Sequence, residues 1–207
     1  MILASDVLTR CARVLNDEEY VRWTKAELLA WLNDAMAEIA VRRPAAYTVN
    51  RGMVLEAGVF QKLPDDAIQL FDITNTGTAP ISRIDRRLLD DQVPLWRSQP
   101  QTSRVRHYMY EESTPKSFRI YPPAKAGTSI GIIYGAIPPL VTSETETLKL
   151  DREYISPLVS FILYRAYSKD SEYAQGQIAN LHYQAFAESV GTRNEVASAT
   201  SPNGTSL

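Results

Sequence analysis

The sequence predicts an α+β protein in which helices from both ends of the chain form a helical bundle. A small antiparallel β sandwich or barrel is inserted between them. Apolar residues recur at helical spacing near both ends of the chain, and in the middle their spacing changes to the alternation of β-strands. We therefore expect bundle helices at residues 1–45 and 151–191, a β-rich insertion domain at 46–150, and a flexible polar tail at 192–207.

Two helices are predicted before residue 45. In the first, the apolar residues that share one face are Ile2, Leu3, Val7, Leu8, Cys11, Val14 and Leu15. The second begins at Thr24, because Thr24 and Glu27 have the spacing of a capping box. It ends before Pro44, since the residue before a proline disfavours helical geometry. Its apolar stripe comprises Leu28, Leu32, Ala35, Met36 and Ile39.

Several short strands are predicted in the middle of the chain. Alternating or continuous apolar residues mark strands at 47–53, 68–73, 107–110, 118–121 and 129–134. Residues that favour turns separate them, namely Gly58, Pro64, the stretch 75–77, the pair Pro122 and Pro123, and Gly127. Residues 86–96 are expected to form a short helix or a docking loop. This pattern is typical of a small antiparallel β unit.

Two further helices are predicted after the β region. Asp151 is the expected cap of the first, whose apolar stripe comprises Ile155, Leu158, Val159, Ile162 and Ala166. The second is expected to begin near Asp170, and its stripe comprises Tyr173, Ala174, Ile178, Leu181 and Ala185. Gly191 is the residue type favoured just after a helix ends. The polar residues that follow it have too little apolar surface to become ordered alone.

Composition excludes several classes of protein. The formal net charge of −2 gives no overall attraction to nucleic acid or to an anionic membrane. The single cysteine, Cys11, cannot form an internal disulfide. No apolar run approaches the roughly 18 residues that a membrane span needs, and the first 15 residues lack the features of a signal peptide. We expect a soluble protein that is made in a reducing compartment and has no membrane partner.

The sequence contains no pattern typical of a catalytic, cofactor-binding or metal site. His107 and His182 are the only histidines, and neither has another ligand at metal-binding spacing. Cys11 is expected to be a buried, inert thiol. No glycine-rich phosphate loop is present. We therefore predict that the protein is not an enzyme and uses no cofactor.

A small hydrolase that uses carboxylates is the alternative from a different class. Three pairs of adjacent acids are available, namely Asp65 with Asp66, Asp90 with Asp91, and Glu111 with Glu112. Adjacent residues on a strand point to opposite faces, so a neighbouring pair does not by itself form a catalytic dyad. Two carboxylates that converge in a deep cleft would favour the hydrolase.

An arginine-rich stretch is the strongest candidate for a contact surface. The candidate interface residues are Arg83, Arg86, Arg87, Trp96, Arg97, Arg104 and Arg106. Arginine and tryptophan are typical anchors of protein interfaces, although arginines also contact DNA phosphates. We favour a protein interface over a DNA-binding module, since the overall charge is acidic. The simplest alternative is a solvated face whose arginines pair locally with Asp85, Asp90 and Asp91.

Several stretches occur in a recognisable order. They are residues 23–35 (WTKAELLAWLNDA) continuing to Pro44, 61–67 (QKLPDDA), 90–96 (DDQVPLW), 108–110 (YMY), 118–123 (FRIYPP), and 163–170 (LYRAYSKD) with Tyr173 and Ala174. Taken in this order, they resemble the head-to-tail adaptor subunits of tailed phages, particularly the tail-tube adaptor type of short-tailed phages. Together they lie within about residues 20–190. Each stretch is a packing or turn motif, and their joint order carries the resemblance.

The resemblance implies a structural virion protein at the head–tail junction, made in the host cytoplasm. Adaptors of this type carry a β domain on a helical bundle and assemble as a ring, commonly dodecameric, below the portal protein. The implied partners are further copies of the chain, the portal, a tail nozzle or tail tube protein, and the genomic double-stranded DNA. The DNA passes through the channel without sequence-specific binding. The family has no catalytic residues, so none are implied here.

The polar tail at residues 192–207 is expected to be disordered in the free subunit and to become ordered against the portal. A flexible terminus can wrap a large surface when it binds, and repetition around a ring raises avidity. The alternative is a passive chain end.

Overall fold

The computed structural model describes residues 2–74, 79–169 and 175–200, with side chains as far as Gly191. The described part contains five α-helices and two β-sheets, which confirms the predicted α+β class. The helices are α1 (Ala4–Val14), α2 (Lys25–Arg42), α3 (Arg86–Gln92), α4 (Ile155–Ser168) and α5 (Gly176–Thr200). The chain divides into two compact units, a helical unit of residues 1–46 and 138–207 and a β unit of residues 47–137.

Helices α1 and α2 follow from the spacing of their apolar residues. The predicted stripe of α2, from Leu28 to Ile39, is buried along its whole length. Thr24 caps this helix, because its Oγ1 accepts the N–H of Glu27 at 3.3 Å. In α1 the buried face includes Val7, Leu8 and Cys11. The predicted stripe of α1 was too wide, since Leu3 and Val14 are exposed.

Helix α4 lies at the centre of the helical unit and packs against α1, α2 and α5. Its residues Leu158, Ile162 and Ala166 are buried as predicted. Asp151 precedes the short 3-10 turn Arg152–Tyr154, which leads directly into α4. The predicted apolar stripes of α2 and α4 therefore both contribute to the interior of this unit.

The predicted buried face of α5 was wrong. Ile178, Leu181 and Ala185 are exposed, and the buried residues are Ala179, Phe186 and Val190. The ring of Phe186 packs edge-on against the ring of Phe161 in α4, with 5.1 Å between centroids. The largest apolar side chain thus sets the orientation of the helix, because burying it removes the most apolar surface from water.

The end of α5 also differs from the prediction. The helix continues past Gly191 to Thr200, because one interior glycine costs only about 1 kcal/mol and does not have to end a helix. Residues 170–174, where we expected this helix to begin, lie outside the described residues, as do residues 201–207 of the predicted tail.

Residues 138–150, which we assigned to the β-rich insertion, belong to the helical unit. The N–H of Ala4 donates to the carbonyl of Glu146 at 2.9 Å. The Asn33 side chain of α2 makes two hydrogen bonds to the backbone of Val141, donating to its carbonyl at 2.9 Å and accepting its N–H at 2.8 Å. These bonds hold the returning chain against α1 and α2.

The β unit contains seven strands in the described residues: β1 (Thr48–Val54), β2 (Gly58–Lys62), β3 (Ala67–Thr74), β4 (Ser82–Arg83), β5 (His107–Met109), β6 (Ser117–Ala124) and β7 (Ser129–Ala136). One sheet has the order β1-β7-β3 and is antiparallel. The other has the order β2-β6-β5-β4, with β4 parallel to β5. The two sheets share one core, in which Ile132 and Tyr134 of β7 lie in the same buried cluster as Phe118 and Ile120 of β6.

Two features of the β unit were not predicted. Strands β2 and β4 were missed, the latter because two residues are too short to show alternation. Pro122 and Pro123, which we expected to separate strands, lie inside β6. Prolines are tolerated there because the pairing of β6 with β2 shifts register between Gly58 and Phe60, so no regular ladder needs their missing N–H groups. The predicted turn at residues 75–77 lies outside the described residues.

Candidate functional site

The arginine-rich stretch folds around α3 and the edge strand β4 of the four-stranded sheet. Arg83 ends β4 and lies in register with Tyr108 of β5. Asp85 caps α3, since its Oδ1 accepts the N–H of Arg87 at 2.7 Å. The N–H of Ser82 donates to the carbonyl of Arg106 at 3.1 Å. The pairing of β4 thus brings Arg83 and Arg106 to the same edge of the sheet.

Arg86 and Arg97 take part in a local ion-pair network. Arg97 Nη1 lies 2.8 Å from Asp90 Oδ1, and Arg86 Nη1 lies 3.7 Å from Asp90 Oδ2. Arg86 Nε also contacts Glu111 Oε1 at 2.9 Å. Hydrogen bonds from Trp96 and then Arg97 lower the pKa of Asp90. The expectation of local ion pairs is therefore confirmed for these two arginines, with Asp90 as the shared partner.

Trp96 does not contact a partner directly, because its side chain is 0% exposed. Its indole N–H donates to Asp90 Oδ1 at 2.7 Å, and its ring meets Tyr121 edge-on at 6.3 Å between centroids. Trp96 shares a buried cluster with Leu89, and Val93 packs against that cluster. The spacing of residues 89, 93 and 96 is helical and marks one buried face, a signal that our sequence analysis did not use.

The remaining arginines are available to a partner. Within the described part of the chain, the side chains of Arg87, Arg104 and Arg106 are exposed and make no ion pair. Arg83 is exposed too, and its Nη2 donates to the carbonyl of Tyr110 at 3.2 Å.

Two leucines are exposed in the same stretch. Leu88 lies on α3 and is 47% exposed, and Leu95 follows α3 and is 76% exposed. We refer to Arg83, Arg87, Leu88, Leu95, Arg104 and Arg106 as the α3 surface. Exposed apolar residues and exposed arginines are both typical of protein interfaces.

Three of the six carboxylates proposed for hydrolase chemistry, Asp66, Asp90 and Glu111, pair with other side chains of the β unit. Asp66 accepts the hydroxyl of Tyr134 at 3.2 Å and pairs with Arg51 at 3.5 Å. Burial, and then the charge of Asp66, raises the pKa of Tyr134 to about 12. The three grooves whose linings are described carry at most one carboxylate each. These residues therefore give the hydrolase alternative no support.

The two histidines pack against aromatic rings. His107 Nδ1 lies 2.8 Å from Ser82 Oγ, and its ring stacks on Tyr121 with 6.2 Å between centroids. His182 stacks on Tyr167 at 5.6 Å, and burial lowers its pKa. Among the described residues, no group of three or more histidine, cysteine or acidic side chains is placed to bind a metal ion.

Cys11 is expected to react very slowly with thiol reagents while the protein is folded. Its side chain is buried, and burial raises its pKa to about 12, so the thiolate population at pH 8 falls by about a thousandfold relative to a free cysteine. The rate of reaction with a disulfide reagent at pH 8 checks this, with the urea-unfolded chain as the control. A folded-state rate within tenfold of the unfolded rate would contradict the buried-thiol interpretation.

Comparison with known proteins identifies the family. Residues 2–206 match the family model described as SU10 adaptor protein, which is nearly the whole chain. The chain belongs to this family of phage head-to-tail adaptors. No curated protein matches the sequence. The match confirms the resemblance seen in the order of the sequence motifs.

Family membership gives the adaptor a structural role in the phage particle. Assembly at the head–tail junction with other virion proteins follows from the same match. No helix among the described residues is long and apolar enough to cross a membrane.

Proposed function

We propose that the adaptor forms a ring between the portal and the tail and surrounds the channel through which the DNA passes. The family match over residues 2–206 is the observation that carries this proposal. The implied partners are copies of the chain, the portal, and a tail nozzle or tail tube protein. On this proposal the protein has no catalytic activity. The DNA is accommodated without sequence-specific contacts, consistent with a net charge of −2.

We propose further that the α3 surface contacts a neighbouring subunit or the portal. Burying the exposed parts of Leu88 and Leu95 would remove apolar surface from water. Arg87, Arg104 and Arg106 have no ion pair to break within the described residues, so binding acidic groups does not disrupt the subunit. The buried Trp96 holds α3 in place through its hydrogen bond to Asp90. A preorganised surface loses little conformational freedom on binding.

The ring is tested by mass photometry and negative-stain electron microscopy of the purified adaptor, alone and mixed with portal rings. We expect closed rings, or binding of several adaptor copies to each portal ring. An adaptor that stays monomeric at all concentrations and does not bind portal rings would contradict the proposed function.

Reversing the charge of Arg87 and Arg106 is expected to weaken the affinity of the adaptor for its neighbouring subunit or for the portal by roughly tenfold or more. Rim charges and hot-spot arginines contribute on this scale. The double variant Arg87→Glu/Arg106→Glu avoids Arg86, whose ion pair with Glu111 stabilises the subunit. Lys62→Glu is the matched control, since Lys62 is exposed on β2 at the other edge of the same sheet. Circular dichroism establishes that both variants are folded. Equal assembly by the double variant and the control would remove the α3 surface from the proposal.

A further inference from the structure

A positively charged groove lies on the helical unit, between α1 and the turn before α4. Its volume is about 420 Å³. The polar residues that line it are Ser5, Asp6, Thr9, Arg10, Arg13 and Arg152. The groove lies wholly within the helical unit and is separate in sequence from the α3 surface.

The three arginines of this groove come from α1 and from the turn before α4. Arg10 and Arg13 are three residues apart in α1 and share one face of the helix, and Arg152 lies in the 3-10 turn before α4. Within the described part of the chain, none of them makes an ion pair. The groove contains one acid, Asp6, whose Oδ2 already accepts the N–H of Leu3 at 3.1 Å. The groove is therefore positively charged in a chain whose net charge is negative.

The planar guanidinium groups of arginines, together with nearby hydroxyl groups, are suited to binding carboxylates. The chain carries a matching pair of acids in Glu18 and Glu19, which follow α1, are exposed, and make no ion pair among the described residues. The neighbouring Asp17 fixes this loop, since its carboxylate accepts the N–H groups of Val21 at 2.9 Å and Trp23 at 2.8 Å. The two glutamates are thus presented on a well-held turn.

The other pairs of adjacent acids are less available. Asp66 is engaged by Arg51 and Tyr134, Asp90 by Trp96 and Arg97, and Glu111 by Arg86 and Arg119. Charge complementarity therefore favours the Glu18–Glu19 pair as the occupant of the groove. Within one chain the two patches are not paired with each other, so both are free to contact a second copy.

We infer that the groove formed by Arg10, Arg13 and Arg152 binds Glu18 and Glu19 of the neighbouring copy, an inference that rests on the proposed ring. In the proposed ring this contact runs head to tail, with the groove of one copy against the glutamate loop of the next. A head-to-tail contact of this kind generates a closed ring when the rotation between copies closes. One contact of opposite charges is then repeated at every subunit boundary.

Charge exchange between the two patches tests this contact. The groove variant Arg10→Glu/Arg13→Glu and the loop variant Glu18→Lys/Glu19→Lys should each self-associate about tenfold more weakly than the unchanged chain, because each places like charges opposite one another. A chain that carries all four substitutions should recover association. An equimolar mixture of the two variants should also recover it, since groove and loop are again opposite in sign at each boundary. Lys149→Glu, on an exposed residue of the helical unit, is the control.

Sedimentation velocity at low and moderate salt measures each association. Recovery of self-association by the chain with all four substitutions also shows that the substitutions leave the fold intact. Unchanged association of the groove variant would overturn the inference and leave the ring proposal standing. Weakening without recovery by exchange would also overturn it, because the groove would then not be paired with these two glutamates. If the unchanged chain forms no ring, alone or on the portal, the proposed function and this inference fail together.

Discussion

Replacing Leu32 or Ile162 with alanine is expected to lower the free energy of unfolding by about 2–5 kcal/mol, the usual range for emptying a buried aliphatic site. Both side chains are 0% exposed and lie mid-helix, Leu32 in α2 and Ile162 in α4. Because α2 and α4 pack together in the helical unit, truncation leaves a cavity that the surrounding helices fill only in part.

Urea unfolding followed by circular dichroism measures these changes, since most of the signal comes from the helices. Leu181→Ala is the matched control, because Leu181 of α5 is 64% exposed and its loss should cost less than about 0.5 kcal/mol. A loss of less than about 0.5 kcal/mol for Leu32→Ala would show that this stripe contributes little to the subunit, in contradiction to its burial.

Trp96→Ala is expected to cost about 3–5 kcal/mol of unfolding free energy, because it empties a large buried site. The change also removes the indole N–H that Asp90 accepts at 2.7 Å. Asp90 of α3 then keeps its ion pair with Arg97 but loses its hydrogen bond to Trp96. Trp96→Phe retains part of the ring volume and loses the same hydrogen bond, so its cost should be smaller than that of the alanine variant.

The Trp96 variant and the arginine double variant distinguish a residue that supports the α3 surface from residues that contact the partner. Trp96→Ala should weaken portal binding and lower stability together, whereas Arg87→Glu/Arg106→Glu should weaken binding with stability unchanged. Leu95→Ala is the stability control, since Leu95 is close in sequence and 76% exposed. Unfolding curves and binding measurements on the same preparations make the comparison. A Trp96→Ala protein as stable as the unchanged chain would contradict the buried position of this residue.

The helices that pack through regular apolar stripes could be predicted from the sequence. The stripe of α2 is continuous over five positions, so only one orientation buries it. Helix α5 has apolar residues on two faces, and spacing alone cannot choose between them. The choice depends on the contact between Phe186 and Phe161, which belong to different helices. Such a contact is a property of the packed unit and is not visible in one segment.

The position of the candidate surface could be predicted from the sequence, but which of its arginines form ion pairs could not. The sequence shows seven candidate residues in a stretch with few acids, but the shorter ion pair of Arg86 is with Glu111, which lies 25 positions away. Whether an arginine is paired or free depends on how α3 lies near the strands of the sheet. The resemblance to the family depended on the order of the motifs, because each motif by itself is only a packing or turn element.

The two bonds between Asn33 and Val141 join residues 108 positions apart. On a ribosome that adds about 5–20 residues per second, α2 emerges roughly 5–20 seconds before the segment that fastens it. The contact of α2 with α4 cannot form during that interval, because α4 is synthesised after the β unit. The nascent chain is then exposed to premature association with other nascent chains, a hazard that slower synthesis prolongs. The timing of translation thus affects how much of this subunit reaches its folded form.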